Sequence, residues 1–174
     1  MMQKETIEIF KPVFNISTYY IFGGILIILF IPLFLGLFSS ETPRIIRITV
    51  GTAVIVAILF VLFPIIIYPT MCYKFQQKNL ILKCIPFNSK IQYGEIKKIE
   101  KIANLGYSPV GPCRLPHYLL GSNYFSTYGW ITMYATSYKN VLLIETDKKR
   151  YGITPKDEED FLRILNERLK EGGM

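Results

Sequence analysis

Histidine and cysteine are scarce in this 174-residue sequence, which holds one histidine and three cysteines. Cys72, Cys84 and Cys113 are far apart, and an odd number of widely spaced cysteines does not make a disulfide framework. The sequence also has no CxxC motif and no Cys/His cluster of the kind that binds zinc. We therefore expect reduced thiols, which favour a cytoplasmic location for the part of the chain that carries them, and we predict neither a metal site nor a cofactor.

Charge is missing from two long segments. Residues 12–40 and 48–73 contain no Asp, Glu, Lys or Arg, and their most apolar parts are residues 20–38 and 50–68. About 20 apolar residues are enough to cross a hydrocarbon core of about 30 Å. The first segment is too long for the apolar core of a cleavable signal peptide, and a second apolar run follows it. The sequence therefore predicts an N-terminal segment at residues 1–16 and a two-helix transmembrane hairpin at residues 17–70.

The orientation of this hairpin follows from the basic residues around it. The loop between the two spans is too short to hold a domain, so both ends of the chain lie on the same side. Arg44 and Arg47 in the loop are balanced by Lys4 and Lys11 before the first span. Four further lysines follow the second span within the range where the positive-inside bias is counted: Lys74, Lys78, Lys83 and Lys90. We expect a multi-pass protein of the cell membrane with both termini in the cytoplasm.

Residues 71–174 have a different character, with sixteen Lys/Arg and ten Asp/Glu against four and three in the first 70 residues. Short alternating runs are separated by turn residues, which is typical of an antiparallel β meander. Residues 80–85, 131–135 and 141–144 are predicted strands, and residues 147–149 are a predicted hairpin turn. Ile96, Ile99 and Ile102 are spaced by three, which suits a helix face better than a strand, and periodicity alone leaves that segment open.

The chain is predicted to end in an amphipathic helix. Thr154 is the expected N-cap, and Pro155 the expected first helical residue. Acidic residues crowd the start and basic residues the end, which complements the helix dipole. An apolar stripe runs along the helix at Phe161, Leu162, Leu165 and Leu169. Residues 71–174 are therefore predicted to form an antiparallel barrel or curled sheet capped by a C-terminal α-helix.

Several segments of this region carry a resemblance to a known family. They are IQYGEI at residues 91–96, GSNYF at 121–125 with Gly129, YAT at 134–136, VLLIET at 141–146, and YGITP at 151–155 followed by Phe161 and Leu162. Together they resemble the bacterial PH-domain (pleckstrin-homology-like) family that follows membrane spans, over roughly residues 71–170. The resemblance implies a PH-like β domain at the membrane surface. It implies little about chemistry, and relatives associate through this domain.

Two groups of residues are candidates for contact with lipid headgroups or a partner. One group is basic and could attract an anionic leaflet, although a solvated face is the commoner interpretation of such a group: Lys74, Lys78, Lys97, Lys98, Lys101, Lys148, Lys149 and Arg150. The other is an aromatic loop, for which packing within the domain is the alternative: Tyr124, Phe125 and Trp130.

Catalytic residues are not predicted. His117 follows Cys113 by four residues, but no orienting group or oxyanion donor accompanies the pair, and Pro116 disfavours a shared helical face. The sequence also contains no phosphate-binding glycine loop, paired-carboxylate site or HExxH motif. It has no nucleic-acid-binding motif either, so nucleic acid is not an expected partner.

Three hypotheses for the function follow from these observations. The first is a non-catalytic, membrane-anchored binding or scaffold module whose partners are membrane lipid, another membrane protein or a second copy of the chain. The second is a membrane-interface enzyme that uses the loop at residues 104–120. The third is an accessory subunit of a transporter. The uncharged spans argue against a transport pathway of the chain's own.

Overall fold

The computed structural model describes residues 7–13, 17–38, 43–111, 113–115 and 118–172 of the chain. The chain divides into two compact units. Met1–Asn15 and Thr70–Met174 form one of them, here called the β unit, and Ile16–Pro69 form the other, here called the helical unit. The N-terminal segment, which the sequence set apart, therefore groups with the β unit.

The helical unit consists of α1 (Ser17–Phe38) and α2 (Arg44–Ile67). Polar groups inside the second helix are satisfied locally, since the Thr49 and Thr52 hydroxyls donate to the carbonyls four residues earlier at 3.0 and 2.9 Å. Large apolar side chains are exposed along both helices. Within the described part of the chain, no helix combines the length and the hydropathy needed to cross a membrane. The two predicted spans are therefore not confirmed.

The β unit begins with a four-stranded antiparallel sheet in which neighbours in space follow one another along the chain. Its strands are β1 (Glu8–Phe10), β2 (Cys72–Phe75), β3 (Asn79–Cys84) and β4 (Phe87–Gln92). Burial alternates strictly along β2 and β3. One face of the sheet is therefore buried, and the other is turned outward.

A six-stranded sheet follows a short 3-10 turn at Tyr93–Glu95. Its strands are β5 (Ile96–Asn104), β6 (Cys113–Leu115), β7 (Tyr118–Phe125), β8 (Gly129–Ala135), β9 (Lys139–Thr146) and β10 (Arg150–Ile153). Their order is β5-β9-β10-β8-β7-β6. The predicted turn between β9 and β10 is confirmed.

The mainly β domain is confirmed, but two details of the prediction need correction. Of the two predicted alternatives, barrel or curled sheet, the barrel is not formed by the described residues, because the edge strands β5 and β6 of the larger sheet do not pair with each other. The larger sheet is not a simple meander either, since β10 lies between β9 and β8 and runs parallel to β8. Tyr73 connects the two sheets: its hydroxyl donates to the Tyr134 carbonyl at 2.6 Å and accepts from the Thr154 amide at 3.2 Å.

The segment that begins at Ile96, which periodicity alone assigned to neither helix nor strand, is a strand. The pairing of β5 with β9 shifts between Ile96 and Lys98, so that Lys97 is an extra residue in the ladder. Ile99 and Ile102, three residues apart, then lie on opposite faces of the sheet, and only Ile102 is buried. The spacing of three therefore reflects a β-bulge and residues on both faces of the sheet, not a helix face.

The C-terminal helix α3 (Glu158–Gly172) is confirmed, and its predicted cap is corrected. The Phe161 amide donates to the Asp157 carbonyl at 3.0 Å, so Asp157 precedes the first turn. The Thr154 hydroxyl instead accepts from the Thr136 amide at 3.0 Å. Phe161 is fully buried, with its ring centroid 4.9 Å from that of Phe75 and 5.4 Å from that of Phe10. The helix therefore covers the buried face of the four-stranded sheet.

Candidate functional site

The basic residues predicted on β5 and the β9–β10 turn are mostly paired with carboxylates. Lys97 pairs with Asp147, and four further ion pairs have nitrogen–oxygen distances of 2.7–3.0 Å: Lys98–Glu100, Lys101–Glu158, Lys148–Glu95 and Arg150–Glu145. Hydrogen bonds to these carboxylates raise the pKa of Lys97, Lys98 and Lys148. The lysines stay charged, but each charge is balanced locally, so this surface has little net attraction for an anion.

Arg150 makes hydrogen bonds beyond its ion pair with Glu145. It is half-buried, and its Nη1 donates to the Tyr128 carbonyl while Nε and Nη2 both donate to Glu145. Lys149 is exposed and makes no ion pair with the residues that the structure describes. Of the basic residues predicted on these two elements, Lys149 alone presents an unbalanced charge within the described chain.

The predicted aromatic group divides into a core residue and a surface pair. Phe125 is fully buried in the apolar cluster on one face of the six-stranded sheet, so its side chain is not a contact surface. Tyr124 and Trp130 lie opposite each other on β7 and β8 and are 37% and 57% exposed. Their rings meet edge to face with centroids 5.5 Å apart. Alternation along β7 explains the division, since neighbouring residues face opposite sides.

The outward face of the four-stranded sheet carries a group of lysines that the sequence alone did not bring together. Lys74, Ile81 and Lys90 lie side by side across β2, β3 and β4, and Lys83 lies in the next row. We call Lys74, Lys83 and Lys90 the lysine face. The only acidic residue of these four strands is Glu8, which points to the buried side with Phe75.

The lysine face is therefore electropositive. None of its three lysines forms an ion pair within the described chain. The sequence did indicate that each lysine faces outward, because each occupies an outward position of an alternating strand. The sequence did not show the register between strands, and only the register shows that the three lysines share one face.

A groove of about 660 Å³ lies at one end of this sheet. Its lining combines two lysines, three amide side chains, a tyrosine, a glycine and one carboxylate: Lys78, Lys90, Gln77, Asn79, Gln92, Tyr93, Gly94 and Glu171. Lys78, predicted from its position after the second apolar segment, is exposed on the β2–β3 turn. The structure thus separates the predicted basic residues, with Lys74 and Lys78 on this sheet and the others on the larger one.

Tyr93 fixes the turn that carries Lys78. Its hydroxyl donates toward the carbonyls of Gln76 and Asn79, at 2.8 and 3.1 Å, and its amide donates to the Lys78 carbonyl at 3.3 Å. Burial raises the pKa of Tyr93 to about 12, against smaller lowering effects of Arg168 and of the hydrogen bond to Gln76. The hydroxyl therefore stays protonated and able to donate at physiological pH.

The structure describes only part of the residues that were considered for catalysis. His117 and Pro116 lie outside the described residues, and of Cys113 only the backbone, in β6, is described. Among the described residues, no three His, Cys, Asp or Glu side chains are grouped so as to hold a metal ion. The hypothesis of an enzyme built on residues 104–120 is not tested by this arrangement.

Comparison with known protein families identifies the family of the β unit. A family model described as a bacterial PH domain matches residues 71–169, which is more than half of the chain. No curated protein and no solved structure matches the chain significantly. The matched region includes the lysine face and all of the groove except Glu171.

Proposed function

The chain belongs to the bacterial PH domain family, and from this premise we propose that it is a non-catalytic, membrane-anchored binding module whose β unit contacts anionic lipid headgroups. A PH-like domain suggests a binding or scaffold role. The observation that carries the choice of ligand is the lysine face, three lysines on one sheet surface with no carboxylate among them. Each basic residue near an anionic leaflet contributes about 1 kcal/mol of attraction.

The anchor in this proposal is the helical unit. The 22 residues of α1 contain no charged side chain, and at 1.5 Å per residue they extend about 33 Å, close to the thickness of a hydrocarbon core. Ile27, Ile28, Phe30 and Ile31 are each more than half exposed. A group of exposed apolar side chains favours an apolar surrounding, and lipid would supply it.

We further propose that both termini and the β unit face the cytoplasm. The support is the lysine excess after α2, where Lys74, Lys78, Lys83 and Lys90 outnumber the two basic residues at its start. Those two, Arg44 and Arg47, were predicted in the loop but lie in the first turn of α2. The test places single cysteines at Thr42 and at Gly172 in a chain whose native cysteines are replaced. In intact cells an impermeant thiol reagent should label the cysteine at 42 and not the one at 172. Labelling of position 172 from outside would reverse the orientation.

The lipid contact is tested with the full chain in nanodiscs. Asn88 lies beside Lys83 on the outward face, so Asn88→Cys in the cysteine-free chain can carry a fluorophore there. Asn166→Cys on the exposed side of α3 is the matched control. With phosphatidylglycerol, nitroxide-headgroup lipid should quench the dye at 88 and not at 166.

The quenching at position 88 should fall in 1 M salt, where the Debye length is about 3 Å. Combined Lys74→Gln and Lys83→Gln should also remove it. Equal quenching at both positions, or no quenching at 88 in anionic nanodiscs, would contradict the lipid contact.

A protein partner is the second candidate, favoured by the exposed Tyr124–Trp130 pair. Tyrosine and tryptophan are enriched among the residues that dominate interface energies. If this pair holds two copies together, Trp130→Ser should shift the detergent-solubilised chain to a lower mass by native mass spectrometry, while Ser126→Ala on the adjacent turn should not. An unchanged mass would exclude self-association through this pair.

A further inference from the structure

The groove beside the lysine face has the composition of an anion site. Lys78 lies on the β2–β3 turn and Lys90 on the edge strand β4, and both ammonium groups are exposed. Neither forms an ion pair within the described chain. The groove thus differs from the surface formed by β5 and the β9–β10 turn, where carboxylates neutralise five of the basic side chains.

Hydrogen-bond donors with no charge accompany the two lysines. Gln77, Asn79 and Gln92 line the same groove, and each primary amide offers two N–H donors. Asn79 and Gln92 are paired across β3 and β4, so both belong to a regular ladder. A cation pair combined with amide donors matches an anion that has several acceptor oxygens.

The turn that carries Lys78 is held in place before any ligand arrives. The Tyr93 hydroxyl reaches the carbonyls of Gln76 and Asn79, and its amide bonds the carbonyl of Lys78. A further bond joins the Gln76 amide to the Asn79 carbonyl at 2.9 Å. A turn fixed in this way loses little conformational entropy on binding.

One carboxylate in this groove would repel a bound anion. Glu171 lines it, and its Oε2 accepts from Arg168 at 3.2 Å. The Arg168 charge reduces the repulsion that Glu171 exerts, and two lysines remain in excess. Removal of the Glu171 charge should therefore strengthen binding of an anion, which gives the test a variant that gains affinity.

We propose that this groove binds a phosphate group, with Lys78 and Lys90 as the charged contacts and the amides of Gln77, Asn79 and Gln92 as additional donors. The inference rests on the proposed function, because it specifies which chemical group of an anionic ligand the β unit recognises. The phosphate can belong to a lipid headgroup or to a soluble phosphate ester, and the two sources share this chemistry.

The test uses the full chain in dodecyl maltoside micelles at low ionic strength, titrated calorimetrically with glycerol 3-phosphate. We expect Lys78→Gln and Lys90→Gln each to weaken binding about tenfold, since each removes one charge-assisted contact. Glu171→Gln should strengthen binding severalfold. The matched control is Lys139→Gln, which removes an exposed lysine from β9, outside the groove.

Two outcomes overturn the proposal: no heat of binding with glycerol 3-phosphate, or equal weakening in the groove variants and Lys139→Gln. A short-chain phosphatidic acid that binds far more tightly than glycerol 3-phosphate, with the same dependence on Lys78, identifies a lipid headgroup. Equal affinities identify a soluble ester. Lys74→Gln should leave both titrations unchanged while it reduces the nanodisc contact, so failure of the groove and failure of the lysine face give different results.

Discussion

At the scale of single residues, Tyr93 does more than fill space in the β unit. It is almost fully buried, yet its hydroxyl and amide hold three backbone positions around the β2–β3 turn. An ionised hydroxyl cannot donate, so these contacts depend on the protonated form. Burial is the main cause that raises its pKa to about 12; among the charged groups, Glu8 and Glu171 raise it slightly and Arg168 lowers it.

The stability of the β unit should accordingly fall at high pH. Burial raises the pKa of Tyr93 in the folded chain to about 12 from the ordinary tyrosine value of 10.0, so its stabilising contribution is complete below pH 10 and is lost as the pH rises toward 12. In that window the loss is up to about 1.4 kcal/mol per pH unit. Thermal unfolding of the full chain in detergent between pH 9 and 11.5 should show a steeper decline for the wild type than for Tyr93→Phe. Parallel declines would mean that Tyr93 ionises normally in the folded chain.

The middle of β10 leaves no room for a side chain larger than that of glycine at one position. A β-carbon at Gly152 would lie 2.5 Å from Met133 Sδ and 3.3 Å from Ile131 Cγ2. Gly152→Ala should therefore destabilise the chain by about 1–3 kcal/mol through overpacking. In the Met133→Ala background the same substitution should cost much less, because the contacts with Met133 are gone and only the contact with Ile131 remains. Melting temperatures of the four chains of this cycle test it, and equal effects in both backgrounds would contradict the clash.

At the scale of elements, β1 and α3 complete the core from the two ends of the β unit. Phe10 of β1 packs against Phe75 with ring centroids 5.7 Å apart, and Phe161 of α3 contacts both rings. The chain after β1 also bonds to the residue that follows β10, since the Val13 amide donates to the Thr154 carbonyl at 2.9 Å. Residues distant in sequence thus bury one apolar surface.

Replacement of Phe161 by aspartate should disrupt this core. The side chain is fully buried, so a charge there lacks solvation and costs several kcal/mol. The matched control is Asn166→Asp on the exposed side of the same helix. We expect Phe161→Asp to lower the melting temperature of the full chain strongly or to cause aggregation, with little change for the control. An unchanged melting temperature for Phe161→Asp would remove α3 from the core.

The same elements show what the sequence could and could not predict. The apolar stripe and acidic start of α3 are local patterns, and they predicted the helix and the burial of Phe161. The strand β1 was missed because three residues carry little periodicity and the partner, β2, is more than 60 residues away. The parallel pairing of β10 with β8 is equally nonlocal.

The same difference between local and nonlocal information applies to the candidate site. Exposed Trp130 and the lysines after α2 were identifiable as single residues, whereas the lysine face and the neutralisation of Lys97 by Asp147 depend on strand register. Phe125 is a candidate contact residue in the sequence only because the aromatic loop is considered as one group, with packing within the domain as the alternative. Alternation places Phe125 and Tyr124 on opposite faces, and Phe125 is the packed one. Register, more than residue type, decides which of these side chains can meet a ligand.

At the scale of the whole molecule, one chain joins an apolar helical unit to a bacterial PH domain. The proposed function contains two physically distinct kinds of membrane attachment. The proposed insertion of α1 and α2 would depend on burial of apolar surface and would be insensitive to salt, whereas attraction through lysines alone is screened by salt. In that proposal the helices are the anchor, and the β unit recognises headgroups.

Alkaline carbonate extraction of membranes that contain the full chain separates these two kinds of attachment, because it strips proteins held only by charge. We expect the wild-type chain to stay in the membrane pellet and to be released only by detergent. A chain carrying Lys74→Gln, Lys83→Gln and Lys90→Gln should behave in the same way, since the proposed role of those lysines is recognition and not anchoring. Release of the wild-type chain into the carbonate supernatant would contradict the proposed helical anchor.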